Sequence, residues 1–181
     1  PAHNESENLS LLLPKLRDTL GTIIHEIIVV DNASTDSTRT LLHSLKKVLP
    51  SLVYVYEPTL GYGRAVLTGL SHIQGNVIGI IRSDNQEKPE DLMRMYEEMV
   101  RKNYFIVKAV RKSRNADGFQ RVIISNFFNA LLRMGFNISS RDCNATPKIF
   151  SKEFLTRSHL TSLDWFIDAE IVLKAHILNM P

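Results

Sequence analysis

Apolar runs of strand length alternate with amphipathic helical patterns along the first 110 residues of the chain. Runs rich in β-branched residues predict strands at 23–30, 52–56, 77–81 and 104–110. Apolar residues at helical spacing predict a first helix that Asn4 or Ser6 can cap and that runs to about residue 20, with Leu9, Leu12, Leu13 and Leu16 on one face. The same spacing predicts helices from about 36 to 48, over 64–73 and over 89–102. This alternation indicates right-handed βαβ units, and therefore an α/β fold with a mainly parallel sheet and helices on both faces.

The second half of the chain departs from this alternation. A long apolar helix is predicted over 118–134, an irregular segment over 142–150, a short helix over 151–157 and a last helix over 168–178. No repeat or low-complexity linker separates the halves, so we expect a single domain over residues 1–181. Pro1 leads directly into a helical pattern, and the chain stops where another element is expected. We therefore expect further segments at both ends.

Composition narrows the function only a little. The chain has 44% hydrophobic and 23% charged residues, as soluble globular domains do. A formal net charge of +3 is too small to indicate nucleic-acid binding, but it is compatible with anionic substrates or an acidic membrane surface. Cys143 is the single cysteine, which excludes an intrachain disulfide and fits a reducing compartment. No apolar run approaches the roughly 20 residues that span a bilayer.

Polar or glycine-rich turns follow three of the predicted strands. Asp31 ends the first strand, the stretch Gly61–Arg64 follows the second, and Asp84 and Gln86 follow the third. Ligands of open α/β sheets bind beyond the carboxyl ends of the strands, so these turns predict a site at one edge of the sheet. Asp84 and Gln86 offer oxygen atoms, the donors that Mg²⁺ and Mn²⁺ prefer. Alone, the acidic turn could equally cap the helix that follows it.

Two further features have a plain structural alternative. Gly61 and Gly63 let the backbone approach a ligand, and Arg64 adds a charge suited to phosphate, but the same glycines could simply start a helix. The stretch matches neither the phosphate loop of NTPases nor the dinucleotide fingerprint, which has a glycine where Val66 stands. Glu5 could reach the same edge or only satisfy a helix dipole.

Four stretches in this order resemble family 2 glycosyltransferases of the GT-A type, and most closely the branch of dolichyl-phosphate mannose synthase and bacterial polyprenyl-phosphate glycosyltransferases. The first, residues 1–9, reads PAHNESENL and is similar to the opening P-A-x-N-E-x-x-N-L/I of the family. The others are EIIVVDNASTDST at 26–38, GYGRA at 61–65 with Gly69-Leu70, and DNQ at 84–86 with Pro89-Glu90.

The resemblance implies a GT-A type enzyme that transfers a sugar from a nucleoside-diphosphate sugar with inversion. It implies that residues 1–110 form the nucleotide-sugar-binding half and residues 111–181 the acceptor-side half. Glu5 and Asp31 would hold the ribose and base, and Asp84 with Gln86 would contact a Mg²⁺ or Mn²⁺ ion that bridges the donor diphosphate. The complete expected donor site comprises Pro1, Glu5, Asp31, Gly63, Arg64, Arg82, Ser83 and Asp84.

One departure from the family pattern bears on the metal. Arg82 stands where the family has the first Asp of D-A-D, so a carboxylate is lost and a cation gained. Three alternatives follow: Arg82 holds the diphosphate and partly replaces the ion, the metal binds through Asp84 and Gln86 alone, or the protein is a catalytically weak nucleotide-sugar-binding or regulatory homologue. The change of D-D-G to Asp31-Asn32-Ala33 is milder.

The second half carries acceptor-side motifs by the same resemblance. Residues 111–121 are similar to R-x-x-R-x-D-G-x-x-R, and residues 142–150 to D-x-N-x-x-P-K-x-F. Arg111, Arg121 and Lys148 would bind the acceptor phosphate or donor diphosphate, the alternative being a solvated basic surface. Asp142 is the candidate catalytic group on the acceptor side, and would act as base if the acceptor were a hydroxyl. Asp168 and Glu170 lie near a predicted helix start, where interaction with the helix dipole or capping is the main interpretation, and Glu170 is a lesser candidate for lining the site.

The sequence therefore predicts a hexosyltransferase whose acceptor is a polyprenyl phosphate, working at the cytoplasmic face of a membrane in the synthesis of a cell-envelope glycan. The expected partners are a nucleoside-diphosphate sugar and a lipid phosphate, with no nucleic acid. A nucleotidyltransferase is the enzyme rival, but it would lack the combination of Glu5, Asp31 and Gln86. The base, the sugar and the oligomeric state stay open.

Overall fold

The computed structural model describes residues 1–110 and 144–180 of the chain. Helices and strands alternate along the first of these ranges, as the hydrophobic pattern predicts. The helices are α1 (Ser6–Leu20), α2 (Thr38–Leu45), α3 (Tyr62–Leu70), α4 (Pro89–Lys102), α5 (Lys152–Ser158) and α6 (Ile167–Ile177). The strands are β1 (Ile27–Asn32), β2 (Leu52–Glu57), β3 (Val77–Ile80), β4 (Ile106–Lys108) and β5 (Lys148–Ser151).

The strands β1 and β2 pair in parallel over their whole length, from Ile27 opposite Leu52 to Asn32 opposite Glu57. On the other edge of β1, Ala2 forms a parallel bridge with Asp31, donating its N–H to the Val30 carbonyl at 2.8 Å. The parallel pairing confirms the predicted βαβ character of the first half. It also brings the segment before α1 to the carboxyl end of β1.

The strand β5 belongs to a second sheet, separate from the β1–β2 pair, in which it lies between β3 and β4 and is antiparallel to both. Sequence analysis predicted an irregular segment over 142–150, which is wrong for its last three residues, because Lys148–Phe150 gain their strand conformation from these distant partners. Since β3 and β4 both oppose β5, they point in the same direction. The antiparallel pairing places Lys148, the first residue of β5, beside Ile80 at the carboxyl end of β3.

Two of the apolar clusters among the described residues hold most of the elements together. In the first, leucines of α1 pack on β1 and α2, and the predicted buried face of Leu9, Leu12, Leu13 and Leu16 is confirmed. In the second, β3 and β5 pack against α5 and α6, through Ile78, Phe150, Phe154 and Ile171 among others. Burying aliphatic and aromatic side chains of this size stabilises the fold by about 1.5–3 kcal/mol each.

An apolar groove of about 370 Å³ runs between β1 and β3. Its walls include Ile28 and Val30 of β1, Ile78 and Ile80 of β3, and apolar side chains of α1, α3 and α4. The hydroxyl of Ser83 donates to the Pro1 carbonyl at 2.9 Å, which joins the two strand ends across the groove. The polar turns at the carboxyl ends of β1 and β3 are thereby held near each other.

The limits of the elements differ from the predicted ones by up to four residues, and α4 matches its predicted limits. The first strand starts at Ile27 rather than residue 23, because Ile23 and Ile24 turn back to bond the Leu20 carbonyl. The predicted helix over 118–134 lies outside the described residues. No helix in the described ranges is long and apolar enough to cross a membrane.

A loop before α6 packs directly on the start of α3. Glu170 accepts hydrogen bonds from the backbone N–H groups of Thr161 and Ser162, and Arg64 N–H donates to the Leu163 carbonyl at 3.0 Å. Burial raises the pKa of Glu170, but the hydrogen bonds from the loop lower it by more. A Cβ on Gly63 would lie only 2.4–2.7 Å from backbone atoms of Ser162 and Asp164. The glycine is therefore required by the chain itself at this point.

Gly63→Ala is expected to lower the free energy of unfolding by about 1–3 kcal/mol, because the loop must move to admit a methyl group against backbone atoms. Urea-induced unfolding measures the loss. Gly75→Ala is the matched control, since the nearest atom to its Cβ lies at an ordinary 3.7 Å. Equal stability of the two variants would contradict the tight contact.

Candidate active site

The carboxyl end of β1 presents a buried carboxylate, that of Asp31. One of its oxygens accepts the backbone N–H of Ser34 at 3.0 Å, and the other accepts the Tyr54 hydroxyl at 3.3 Å. The Arg39 Nε lies 3.7 Å from the same carboxylate, while its guanidinium covers the Tyr56 ring at 4.3 Å. Asp31 is therefore fixed in position and paired with a half-exposed cation.

Asn4 fastens the segment before α1 to the turn after β1. Its backbone has a positive φ of 57°, and its Oδ1 accepts the N–H groups of Thr35 and Asp36 at 2.8 and 3.2 Å. The prediction that Asn4 or Ser6 caps α1 is wrong, because the cap position is Glu5 and no side chain there bonds the helix backbone. Asn4 instead serves the neighbouring turn, which its side chain reaches from a left-handed backbone.

Asn32 connects the ends of β1 and β2 to the start of α3. Its amide nitrogen donates to the carbonyls of Glu57 and Thr59, at 3.2 and 2.7 Å. Its oxygen accepts the Gly61 N–H at 2.9 Å. A carboxylate could accept from Gly61 but could not donate to the two carbonyls. The Asn in place of the second Asp of D-D-G thus has a structural reason in this chain.

The turn after β3 is organised by Glu87, which is buried. It accepts the Arg82 Nε at 2.8 Å and the Arg82 backbone N–H at 3.0 Å. The Thr146 hydroxyl bonds the same carboxylate. The Asp84 carboxylate accepts the Gln86 N–H at 3.1 Å, and its other oxygen lies 3.5 Å from Arg82 NH1. Arg82 is therefore held between two carboxylates.

A second buried ion pair lies beside this turn. Lys148, at 0% exposure, donates from Nζ to Asp168 at 2.7 Å. Burial raises the pKa of Asp168, while the charge and hydrogen bond of Lys148 act against that rise. The pair joins the start of β5 to the start of α6 in the interior.

Tyr62 completes the cluster from the start of α3. Burial, with Asp168 close to its hydroxyl, raises the pKa of Tyr62 well above the ordinary value of a phenol. Its ring stacks on Trp165 with centroids 4.4 Å apart, and Trp165 is 68% exposed. Within the described residues the buried Tyr62 hydroxyl makes no hydrogen bond of normal geometry. The Tyr62 hydroxyl therefore lies close to the buried Asp168, and the exposed Trp165 ring covers the Tyr62 ring.

The structure brings most of the predicted donor-site residues to the neighbouring carboxyl ends of β1 and β3. Pro1 contacts Ser83, Asp31 lies next to the last residue of β1, and Arg82 and Asp84 lie in the turn after β3. Glu5 lies half-buried with its carboxylate bonded to Asn8, and Gln86 is exposed. Gly63 and Arg64 face the loop before α6 with their backbones. The roles of these residues stay predictions.

Most of the predicted acceptor-side residues are not among those that the structure describes. Arg111, Arg121 and Asp142 lie outside the described residues, as do Arg114, Asp117, Gly118 and Cys143. Lys148 is described and is buried against Asp168 rather than presented on the surface. Its predicted contact with a phosphate stays a prediction, and it would require a ligand that reaches this ion pair.

Sequence reasoning missed the partners of the predicted residues. Glu87 follows Arg82 by five positions, and an acidic residue so close to an unexpected arginine is a signal that could have been used. Thr146, Tyr62 and Asp168 come from distant segments, and only the fold brings them to the end of β3.

The described residues do not by themselves fit a divalent cation. They contain no group of three or more His, Cys, Asp or Glu side chains placed to hold a metal. Asp84 offers one carboxylate, but a guanidinium lies 3.5 Å from it. Glu87 is already engaged by Arg82 and Thr146. A cation at this place would have to compete with the positive charge of Arg82.

Comparison with protein families gives a match over residues 1–159 to the model described as glycosyl transferase family 2. An undecaprenyl-phosphate 4-deoxy-4-formamido-L-arabinose transferase of Edwardsiella ictaluri is 29% identical over 150 residues, covering 79% of this chain and 45% of that protein. The enzyme of the same name from Sodalis glossinidius is 28% identical over 137 residues, covering 74% and 41%. The chain thus spans less than half the length of these relatives.

Solved structures with a similar fold include a synthase and a mannosyltransferase. Glucosyl-3-phosphoglycerate synthase of Mycobacterium tuberculosis, in complex with Mn²⁺, UDP-glucose and phosphoglyceric acid, matches with a TM-score of 0.74 at 16% identity, covering 98% of this chain and 63% of that one. Mannosyltransferase PcManGT of Pyrobaculum calidifontis, in complex with GDP-Man and Mn²⁺, matches with a TM-score of 0.64 at 20% identity, covering 94% and 50%. The expected GT-A type α/β fold is confirmed.

Lys148→Met is expected to lower the free energy of unfolding by about 3–5 kcal/mol, because it leaves the buried Asp168 carboxylate without its cation. The double variant Lys148→Met/Asp168→Leu should lose less than this single change, since no buried charge remains. Denaturant unfolding of both measures the difference. Arg157→Met breaks an exposed pair with Glu153 and serves as the control, with a change under about 0.5 kcal/mol.

Asn32→Asp is expected to lower the free energy of unfolding by about 1–3 kcal/mol, because the new carboxylate would face the carbonyls of Glu57 and Thr59 without a donor. Thermal unfolding at neutral pH gives the measurement. Asn76→Asp, at an exposed position before β3, is the control. A variant as stable as the natural chain would show that these hydrogen bonds contribute little.

Proposed function

This chain belongs to glycosyl transferase family 2, and we propose that it is an inverting enzyme that moves a sugar from a nucleoside-diphosphate sugar to a polyprenyl phosphate. The observation that carries the proposal is the meeting of Asp31, Arg82 and Asp84 at the carboxyl edge of the strands, joined through Pro1 and Ser83. The names of the relatives as undecaprenyl-phosphate sugar transferases support the acceptor class.

The donor is proposed to lie across the ends of β1 and β3. Glu5 and Asp31 would accept hydrogen bonds from the ribose and base, since both carry carboxylates at the end of β1 or beside it. Gly63 and Arg64 would line the nucleotide side, and Asp84 the sugar and diphosphate. A nucleotide at this place would extend from the Asp31 carboxylate at the end of β1 towards the Arg82 guanidinium after β3.

The reaction is a direct displacement. An oxygen of the acceptor phosphate attacks the anomeric carbon while the bond from that carbon to the diphosphate oxygen breaks, and the nucleoside diphosphate leaves with the electron pair. The configuration at the anomeric carbon inverts. A phosphate acceptor is already an anion, so no strong general base is needed. What the protein must supply is positive charge for the departing diphosphate.

The metal and acceptor residues complete the proposal. The Mn²⁺ in the complexes of structural relatives favours a divalent ion in this fold generally, and Asp84 with Gln86 are its proposed ligands here. The described donor set fits such an ion poorly, because Arg82 already places a positive charge 3.5 Å from Asp84. Arg111, Arg121 and Lys148 are the proposed phosphate contacts. Asp142 is the proposed acceptor-side residue.

The proposed division of the domain places donor binding in residues 1–110 and acceptor binding in residues 111–181. A polyprenyl phosphate resides in a membrane, so the proposed place of action is its cytoplasmic face, with the domain bound peripherally. The alternative of a catalytically weak regulatory homologue is not favoured, because the relatives are named as transferases.

Transfer from labelled UDP- and GDP-sugars to undecaprenyl or dolichyl phosphate in detergent micelles tests the proposal on the full-length protein. Asp84→Asn is expected to reduce the rate about 100-fold or more, since it removes a charge fixed at the reacting centre. Asp18→Asn, on the exposed side of α1, should leave the rate unchanged. Absence of both nucleotide binding and transfer in the natural protein would overturn the assignment.

A further inference from the structure

The most heavily bonded side chain at the end of β3 is Glu87, a residue that the sequence motifs do not assign. Its side chain is 5% exposed, and its two oxygens accept from Arg82 Nε, from the Arg82 backbone and from Thr146. Burying a carboxylate is costly unless hydrogen bonds and an opposite charge compensate it. Glu87 meets both conditions through Arg82, so the two residues form one unit.

This unit fixes the direction of the Arg82 side chain. A guanidinium is planar and has five N–H donors, of which the one on Nε is directed at Glu87. Its NH1 lies 3.5 Å from Asp84, farther than a strong hydrogen bond, and the side chain is 29% exposed. The outer nitrogens of Arg82 are thus held at the opening of the site beside Asp84.

The charges around Arg82 favour the binding of an anion at this opening. Burial disfavours the charged form of Arg82, but the hydrogen bond and charge of Glu87, together with Asp84, outweigh it and raise the pKa of Arg82. The arginine therefore keeps its charge at neutral pH. An arginine fork matches a phosphate with two parallel hydrogen bonds, whereas a metal ion would be repelled by the same charge.

We propose that Glu87, with Thr146, is a positioning residue that holds Arg82 as a built-in cation for the donor diphosphate, so that nucleotide binding in this protein depends little on a divalent ion. The proposal rests on the proposed function, because it concerns the same donor site. Arg82 touches the diphosphate, and Glu87 acts through Arg82. Thr146 ties this unit to the segment before β5.

Calorimetric titration of the full-length protein with UDP and GDP, with Mn²⁺ or with EDTA, tests the proposal. The natural protein should bind one nucleotide with affinities that differ less than about threefold between the two conditions. Glu87→Gln should weaken binding about tenfold, equal to about 1.4 kcal/mol, because Arg82 is then free to turn onto Asp84. Glu97→Gln, an exposed glutamate of α4, is the matched control and should bind normally.

Two further variants separate a positioning role from a merely structural one. Arg82→Lys keeps the charge but loses the planar fork, and it should weaken nucleotide binding as Glu87→Gln does. The double variant Arg82→Asp/Glu87→Gln introduces a second carboxylate beside Asp84 and removes the cation. Its nucleotide binding should become dependent on Mn²⁺ by about tenfold or more, an effect that loss of stability alone would not produce.

The outcomes are distinct. Normal binding by Glu87→Gln, or natural-protein binding that requires Mn²⁺, would overturn this inference and leave the glycosyltransferase assignment in place. A natural protein that binds neither UDP nor GDP under any condition would overturn both. Circular dichroism of each variant checks folding, and if Glu87→Gln does not fold, Arg82→Lys and the double variant decide the question.

Discussion

Buried charge has to be neutralised where it lies, and this requirement organises the structure around the carboxyl ends of β1 and β3. Asp31, Glu87, Lys148 and Asp168 are all buried there. Each finds an opposite charge, and the Lys148–Asp168 pair reaches from β5 to α6. Removing one member of a buried ion pair lowers stability far more than removing both. The identity of each of these residues therefore depends on its partner, as the residues of the apolar core depend on their neighbours. The second half of the chain is joined to the first by the Thr146–Glu87 hydrogen bond and by the pairing of β5 with β3 and β4.

The hydrophobic pattern predicted what local sequence determines. The parallel first half and the limits of α4 follow from β-branched runs, helical spacing and a proline at the helix start. The strand β5 was missed because four residues carry no period of their own and become a strand only between β3 and β4. Boundaries were least accurate where the chain turns back on itself, as at Ile23 and Ile24.

The sequence predicted which strand ends carry the polar turns, and the structure holds the ends of β1 and β3 near each other. It did not predict the partners of these side chains. Glu87 lies later in the same turn as Arg82, Thr146 lies before β5, and Asp168 lies in α6. Lys148 is the clearest example of what the sequence does not show. A lysine next to a proline is typical of a surface position, but the fold buries this one against Asp168. Burial of a charge is decided by tertiary contacts that no local pattern encodes.

The contact between Gly63 and the loop before α6 bears on how sequence motifs of this kind are interpreted across a family. A glycine that excludes a side chain because the protein's own backbone lies 2.4–2.7 Å from its Cβ position is maintained by folding, whatever ligand is bound. A descendant that lost its activity would still lose stability if this glycine changed, while Asp84, which is 27% exposed and bonds its own turn and Arg82, would be free to change. Inactive members of such a family should therefore be recognised by the carboxylates that they lose and not by the glycines that they keep.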